Sequence, residues 1–286
     1  MQDKLCVITG ATSGIGLAAA EALARQGARL ALVGRDAGRG EAALDLLRSR
    51  IPGARVALHL ADLARLAEVR RLGRELVETY PRIDVLVNNA GALFQRRSLT
   101  EDEIERTFAL NHMAYFVLTQ ELRERLQAAP AGRVVNVASR AHAGAKLDFA
   151  NLNLERGYSG WVAYQRSKLA NILFTRELAR RLAGTGVTAN CLHPGFVASR
   201  FGDNNRGLFR WGLGLAKRFS ARSPEKGAET VVYLAAAPEI QGMTGTYFAD
   251  LKPATPSRAA RDDTAARLLW EASERLSAAG GGVTAP

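Results

Sequence analysis

The segment YQRSKLANILF sets Tyr164 four residues ahead of Lys168, and an apolar helical pattern runs on from there. Residues four apart on a helix share a face, so the phenol and the ammonium are neighbours. A free phenol titrates near ~10 and is a poor acid or base at neutral pH. An adjacent ammonium favours the phenolate and lowers that value. A tyrosine tuned in this way can protonate a developing alkoxide, or deprotonate an alcohol, while a hydride moves. Upstream, the apolar run RVVNVAS ends at Ser139. Its hydroxyl is placed either to hydrogen-bond a substrate carbonyl oxygen or to cap the following turn.

A second cluster lies near the N-terminus. The run KLCVITG leads into TGATSGIG, with Gly10, Gly14 and Gly16 between a strand pattern and a helical one. Glycines there let backbone N–H groups approach a pyrophosphate, and the helix N-terminus adds partial positive charge. A tight structural turn would use the same residues. The next run, RLALVG, ends at Gly34 and is followed by Arg35 and Asp36. A carboxylate at that tip would hold the ribose hydroxyls of NAD, whereas Arg35 offers a forked, permanently charged donor to the 2′-phosphate of NADP. Asp36 reads as the N-cap of the next helix, although it could hold a ribose. The balance favours NADP(H) over NAD(H). Asp62, in HLADL, either bonds an adenine amino group or caps a helix.

Such residues need a scaffold that gathers the ends of several segments. KLCVITG, RLALVG, RVALHL, IDVLVNN, RVVNVAS, GVTANCLH and GTYFAD are apolar runs of strand length. They alternate with amphipathic helical stretches at about 14–26, 38–50, 63–79, 101–127 and 161–183. Most of the runs are continuously apolar, which fits strands buried on both faces of a parallel sheet. The alternation implies right-handed β-α-β crossovers and a single-domain, Rossmann-type, doubly wound α/β fold of about seven strands flanked by helices. Residues 1–278 show no linker or composition break, and 279–286 read as a disordered tail.

With 286 residues, 47% of them hydrophobic, the chain can bury a full core without staples. Cys6 and Cys191 lie inside apolar runs and read as buried free thiols of a reducing compartment. No spacing suggests a metal site. The first strand pattern starts within a few residues of Met1, and no apolar run approaches the roughly 20 residues of a membrane-spanning helix. These features point to a soluble, cytoplasmic protein. Lys and Arg number 39 against 28 for Asp and Glu, a formal net charge of +11. The arginines are spread through helical stretches without interleaved aromatics, which speaks for a solvated basic surface and against nucleic acid.

In chain order, TGATSGIG, NNAG at 88–91, Ser139, YQRSK and HPG at 193–195 resemble the short-chain dehydrogenase/reductase family over nearly the whole chain. YQRSKLANILFTRELARRLAGTGVTANCLHPG and the later MTGTYFADLKPATPS resemble its retinol dehydrogenase-like branch. The long interval HAGAKLDFANLNLERGYSGW between Ser139 and Tyr164 is also shared with that branch. The resemblance implies an oxidoreductase that interconverts carbonyl and alcohol with a nicotinamide dinucleotide. It places Gly10, Ser13, Gly14 and Ile15, with Gly16 in the same loop, against the pyrophosphate. Arg35 would meet the 2′-phosphate, Asp62 and Leu63 would border the adenine, and Asn88 and Gly91 would lie under the cofactor. Tyr164, Lys168, Pro194, Gly195 and the hydroxyl of Ser199 would complete the cofactor contacts.

Asn111, in ALNHMAYF, would hold a water that links Lys168 to solvent, giving a catalytic set of Asn111, Ser139, Tyr164 and Lys168. The full set argues against the alternative, a catalytically idle NADP(H)-binding regulator or redox sensor. In the family, the stretch after HPG forms a lid over the substrate. Here that stretch is GLFRWGLGLAKRF, whose Phe209 and Trp211 suggest a lipophilic ketone or aldehyde and weak peripheral contact with anionic membranes. Apolar positions on the 161–183 helix exceed one core-facing stripe, which suggests a homo-oligomer.

Overall fold

Along β1 (Leu5–Thr9), Leu5 and Val7 face one hydrophobic core while Cys6 and Ile8 face another. Successive side chains of a strand point to opposite faces, so a strand covered on both sides has no polar face to alternate with. The computed structural model describes residues 1–195, 197 and 222–279. Within them the other six apolar runs become β2 (Arg29–Gly34), β3 (Val56–Leu60), β4 (Val85–Asn88), β5 (Arg133–Val137), β6 (Thr188–His193) and β7 (Tyr247–Ala249). These seven strands run parallel in the order β3-β2-β1-β4-β5-β6-β7.

An eighth strand, β8 (Lys252–Pro253), pairs antiparallel with β7 and corrects the expected count of seven. Asp250 and Leu251, both at positive φ, turn the chain back on itself. Two residues that include a proline carry no strand pattern of their own.

On one face of the sheet lie α1 (Gly14–Arg25), α2 (Ala37–Arg50) and α8 (Pro224–Ala236), packed on the core that contains Cys6 and Ile8. On the other face lie α3 (Leu66–Thr79), α5 (Ala114–Glu121) and α7 (Gly160–Arg181). Asp36 caps α2 by accepting from Arg39 N at 2.9 Å. The expected helix at 63–79 starts three residues late, because Asp62 accepts from Ala64 N in a turn and the cap comes from afar: Asp102 accepts from Leu66 N at 3.0 Å. Cys6 and Cys191 are free and buried.

The expected helix at 101–127 is broken. It consists of α4 (Arg106–Phe108), a π-helical turn (Ala109–Met113), α5 and α6 (Arg123–Gln127). The Glu105 carboxylate starts it by accepting from Thr107 N and Phe108 N, each at 2.9 Å. The C-terminal helix α9 (Asp263–Ala279) lies across the outer side of α5 and α7. Its Trp270 ring sits 5.0 Å from Phe116 and 5.9 Å from Phe174, centroid to centroid, and the Arg181 guanidinium covers it at 4.3 Å. Thus the second apolar stripe of α7 is covered by α9 of the same chain. No helix among the described residues is long and apolar enough to cross a membrane.

Candidate active site

The strand order reverses between β1 and β4, and their carboxyl ends open a crevice of the kind in which doubly wound sheets bind ligands. Gly10 leaves β1 at φ +66, and a Cβ there would lie 2.9 Å from Ala90 Cα, so only glycine fits. A Cβ on Gly16 would run into the Gly10 carbonyl oxygen. Asn89 locks this approach: its side-chain amide donates to Thr9 O at 2.8 Å, and its backbone N–H donates to Thr9 Oγ1 at 2.9 Å. Gly14 begins α1 behind Ser13, whose side chain makes no capping bond, and the first turn holds no acidic residue. The N–H groups of that turn therefore face the crevice with their positive end uncancelled, which suits a pyrophosphate. Ile15 packs, partly buried, against the core beneath α1.

At the tip of β2, Arg35 and Asp36 are exposed. Asp36 is engaged, because it caps α2 and pairs with the Arg39 guanidinium at 3.3 Å; these bonds hold its carboxyl below the usual range. Leu63 is buried beside Asp62 in the turn after β3. The Asn88 side chain is fully buried and donates to Thr119 Oγ1 at 3.1 Å and Asn136 Oδ1 at 2.9 Å, so its amide serves the packing of β4 on β5 and α5. Gly91 lies at the crevice, where a Cβ would come within 3.2 Å of Asn111 Oδ1 and 3.4 Å of Lys168 Nζ. Pro194 and Gly195 follow β6, and Gly195 N donates to His193 Nδ1 at 3.1 Å. Ser199, Phe209 and Trp211 fall outside the described residues.

Asn111 sits in the π-helical turn, a geometry that often marks functional positions. Its side chain leaves the helix to grip Ala92, accepting from Ala92 N and donating to Ala92 O, each at 2.9 Å. It also donates to Ser167 Oγ at 2.9 Å, which ties the turn to α7. Ser139, after β5, does two things at once: Oγ accepts from Ala141 N at 3.2 Å, and the side chain hydrogen-bonds Tyr164.

Lys168 Nζ donates to Val137 O at 2.9 Å and lies 5.8 Å from the centre of the Tyr164 ring. The four residues expected to form the catalytic set thus share one buried corner. The expected lowering of the phenol by Lys168 is not found: burial sets its pKa, opposed by the Ser139 hydrogen bond. Tyr164 is pushed up to about 12 despite the Ser139 hydrogen bond, and burial brings Lys168 down to about 7. At neutral pH the phenol is a held, protonated donor.

Three residues at the site were not singled out from the sequence. Asn89 and Tyr115, whose hydroxyl donates to Ala90 O at 2.9 Å, find their partners far away in the chain, and no local pattern reveals them. Trp161 was legible in principle, three residues before Tyr164 on one helix. Its ring is 49% exposed and stands 5.8 Å from that of Tyr164.

The family pattern described as short chain dehydrogenase matches residues 4–207. Mouse retinol dehydrogenase 14 is 40% identical, the match covering 96% of this chain and 86% of that protein. Human retinol dehydrogenase 13 is 38% identical over 96% of this chain and 84% of its own. An uncharacterized protein from Mycobacterium paratuberculosis superposes with a TM-score of 0.77 at 34% identity, covering 97% of this chain and 94% of the other. A structure from Beutenbergia cavernae, described as an NAD(P) dependent gluconate 5-dehydrogenase with bound NADP at low occupancy, superposes with a TM-score of 0.70 at 29% identity. It covers 87% of this chain and 96% of its own.

Proposed function

Because the chain belongs to the short-chain dehydrogenase/reductase family, in its retinol dehydrogenase-like branch, we propose that Tyr164 is the general acid/base of an NADP(H)-dependent interconversion of a lipophilic ketone or aldehyde with its alcohol. Oxidoreduction at CH–OH groups comes with membership of the family. The observation that carries the finer reading is the buried corner of Ser139, Tyr164, Lys168 and Asn111 at the carboxyl ends of the central strands.

A nicotinamide dinucleotide, when bound, supplies or accepts the hydride. Gly10, Gly14 and the first turn of α1 would hold its pyrophosphate. Lys168 Nζ lies beside Gly91, within reach of a ribose in the crevice. Ser139 Oγ and the Tyr164 hydroxyl, hydrogen-bonded to each other, would grip the carbonyl oxygen, and Tyr164 would donate the proton as that oxygen becomes an alkoxide. In the reverse direction the phenolate takes the proton back. Asp36 is occupied as a cap, which leaves Arg35 the free charge at the tip of β2; this supports NADP(H) over NAD(H). The exposed Trp161 ring beside Tyr164, together with relatives named for retinol, supports a lipophilic substrate.

Kinetics with a carbonyl panel test this reading. Tyr164→Phe is expected to hold less than about a tenth of the wild-type kcat while binding NADPH within a few fold, because only the proton donor is lost. Arg35→Ala should weaken NADPH more than NADH, by about 1.5–3 kcal/mol. Equal losses for both cofactors would overturn the NADP assignment, and a preference for small polar sugars would overturn the lipophilic one.

A further inference from the structure

His142 is buried one turn beyond Ser139, and both of its ring nitrogens are spoken for. The backbone N–H of Ser257 points at Nε2 from 3.1 Å. A backbone amide can only donate, so Nε2 must carry a lone pair, and the ring proton of the neutral imidazole sits on Nδ1. Nδ1 lies 2.7 Å from the Ser139 carbonyl oxygen and donates to it. The His142 backbone N–H donates to the same oxygen at 3.2 Å. One residue therefore fastens the Ser139 carbonyl twice, while the Ser139 hydroxyl, on the other side of the same Cα, is fixed by Ala141 N.

The ring has little freedom to leave. The Tyr247 ring meets it edge-on at 5.2 Å, and Tyr247 in turn packs against His193 at 5.9 Å. The turn that carries His142 is also tied to the catalytic helix, since Gln165 donates its side-chain amide to Ala141 O at 3.3 Å. Ser257 belongs to the segment between β8 and α9, so the imidazole bridges two parts of the chain 115 residues apart.

We propose that His142 is a positioning residue for Ser139: as a neutral imidazole, kept protonated on Nδ1 by the Ser257 N–H at Nε2, it holds the Ser139 carbonyl and thereby aims the Ser139 hydroxyl at Tyr164 and the substrate oxygen. The proposal rests on the role given to Ser139 above.

Two near-isosteric variants divide the two bonds. Asparagine places an amide where Nδ1 stood and can still donate to Ser139 O. Glutamine places its oxygen where Nε2 stood and can still accept from Ser257. His142→Asn is expected to keep kcat within about threefold, whereas His142→Gln loses about tenfold or more, with NADPH affinity unchanged in both. A purely structural role would instead lower kcat equally in the two, in step with thermal stability, and that result would overturn the proposal.

Imidazole ¹⁵N NMR of the wild-type protein is a check that no folding failure can spoil. The His142 resonances should show a neutral ring protonated at Nδ1 at pH 7.5, and an Nε2–H tautomer would overturn the assignment. Ser139→Ala separates the two layers of inference. If it is inactive while His142→Gln turns over at the wild-type rate, only the positioning role fails; if Ser139→Ala is fully active, the reading of the site fails and takes the proposal with it.

Discussion

Lys168 brings an ammonium into a place that burial otherwise closes to charge: 4% exposed, with the Val137 carbonyl as its hydrogen-bond acceptor. From 10.5 in the unfolded chain, its pKa falls to about 7 on folding, because burial penalises the ammonium. Between those two values the unfolded chain holds a proton that the folded one has released, so stability rises with pH across that window. The penalty is complete below pH 7 and absent above pH 10.5. Lys168→Met should therefore raise Tm at pH 7, by roughly 2–4 °C for each kcal/mol of penalty removed, and the gain should fade toward pH 10.5. The Val137 carbonyl keeps the Asn171 amide as a donor at 3.4 Å, so no orphan acceptor masks the effect. Calorimetry across that range checks it: a Tm difference that does not change with pH would mean that the lysine is not held against its charge. Turnover should be lost in the same variant, since the group that destabilises the fold is the one the proposed chemistry needs.

At the scale of elements, α7 is held from both sides. Its inner face lies on the sheet, where Asn136 donates to Thr175 Oγ1 at 2.9 Å, and its outer face lies under α9. Trp270→Ala should destabilise the protein by about 3–5 kcal/mol, read from the shift of the denaturant midpoint, because the ring fills the seam between Phe116 and Phe174. The seven parallel strands were legible because burial on both faces writes a continuous apolar run into each. The 101–127 region was not, because its breaks are tertiary: Asn111 turns its side chain to Ala92, and Glu105 folds back on the start of the helix. The apolar surplus of α7 was also legible, but sequence could not say whether a second chain or the chain's own C-terminus covers it. Trp270 and Leu269 of α9 supply the cover.

For the whole molecule, the charge of +11 would create a field that favours approach of the anionic dinucleotide proposed above. The association rate of NADPH, followed by stopped-flow fluorescence, should fall as salt rises from 50 to 300 mM, over which the Debye length shortens to below about 10 Å; a flat rate would mean that the basic residues do not steer. With α9 in place, light scattering should give the mass of one chain, 30.8 kDa; twice that mass would mean that another face self-associates. Tyr164, Lys168 and Ser139 could be picked out by spacing, as could the glycine loop. Asn89, Tyr115 and His142 could not, because each meets a backbone group distant in sequence: Thr9 O, Ala90 O and Ser257 N. The arrangement of α9 has a further consequence in mass-action terms. Where a catalytic helix is completed by a second subunit, dilution separates the halves and activity per molecule falls with concentration. Here the completing helix is joined to α7 by covalent chain, so its effective concentration does not change on dilution. Specific activity should hold constant from micromolar enzyme to the lowest level an assay can follow.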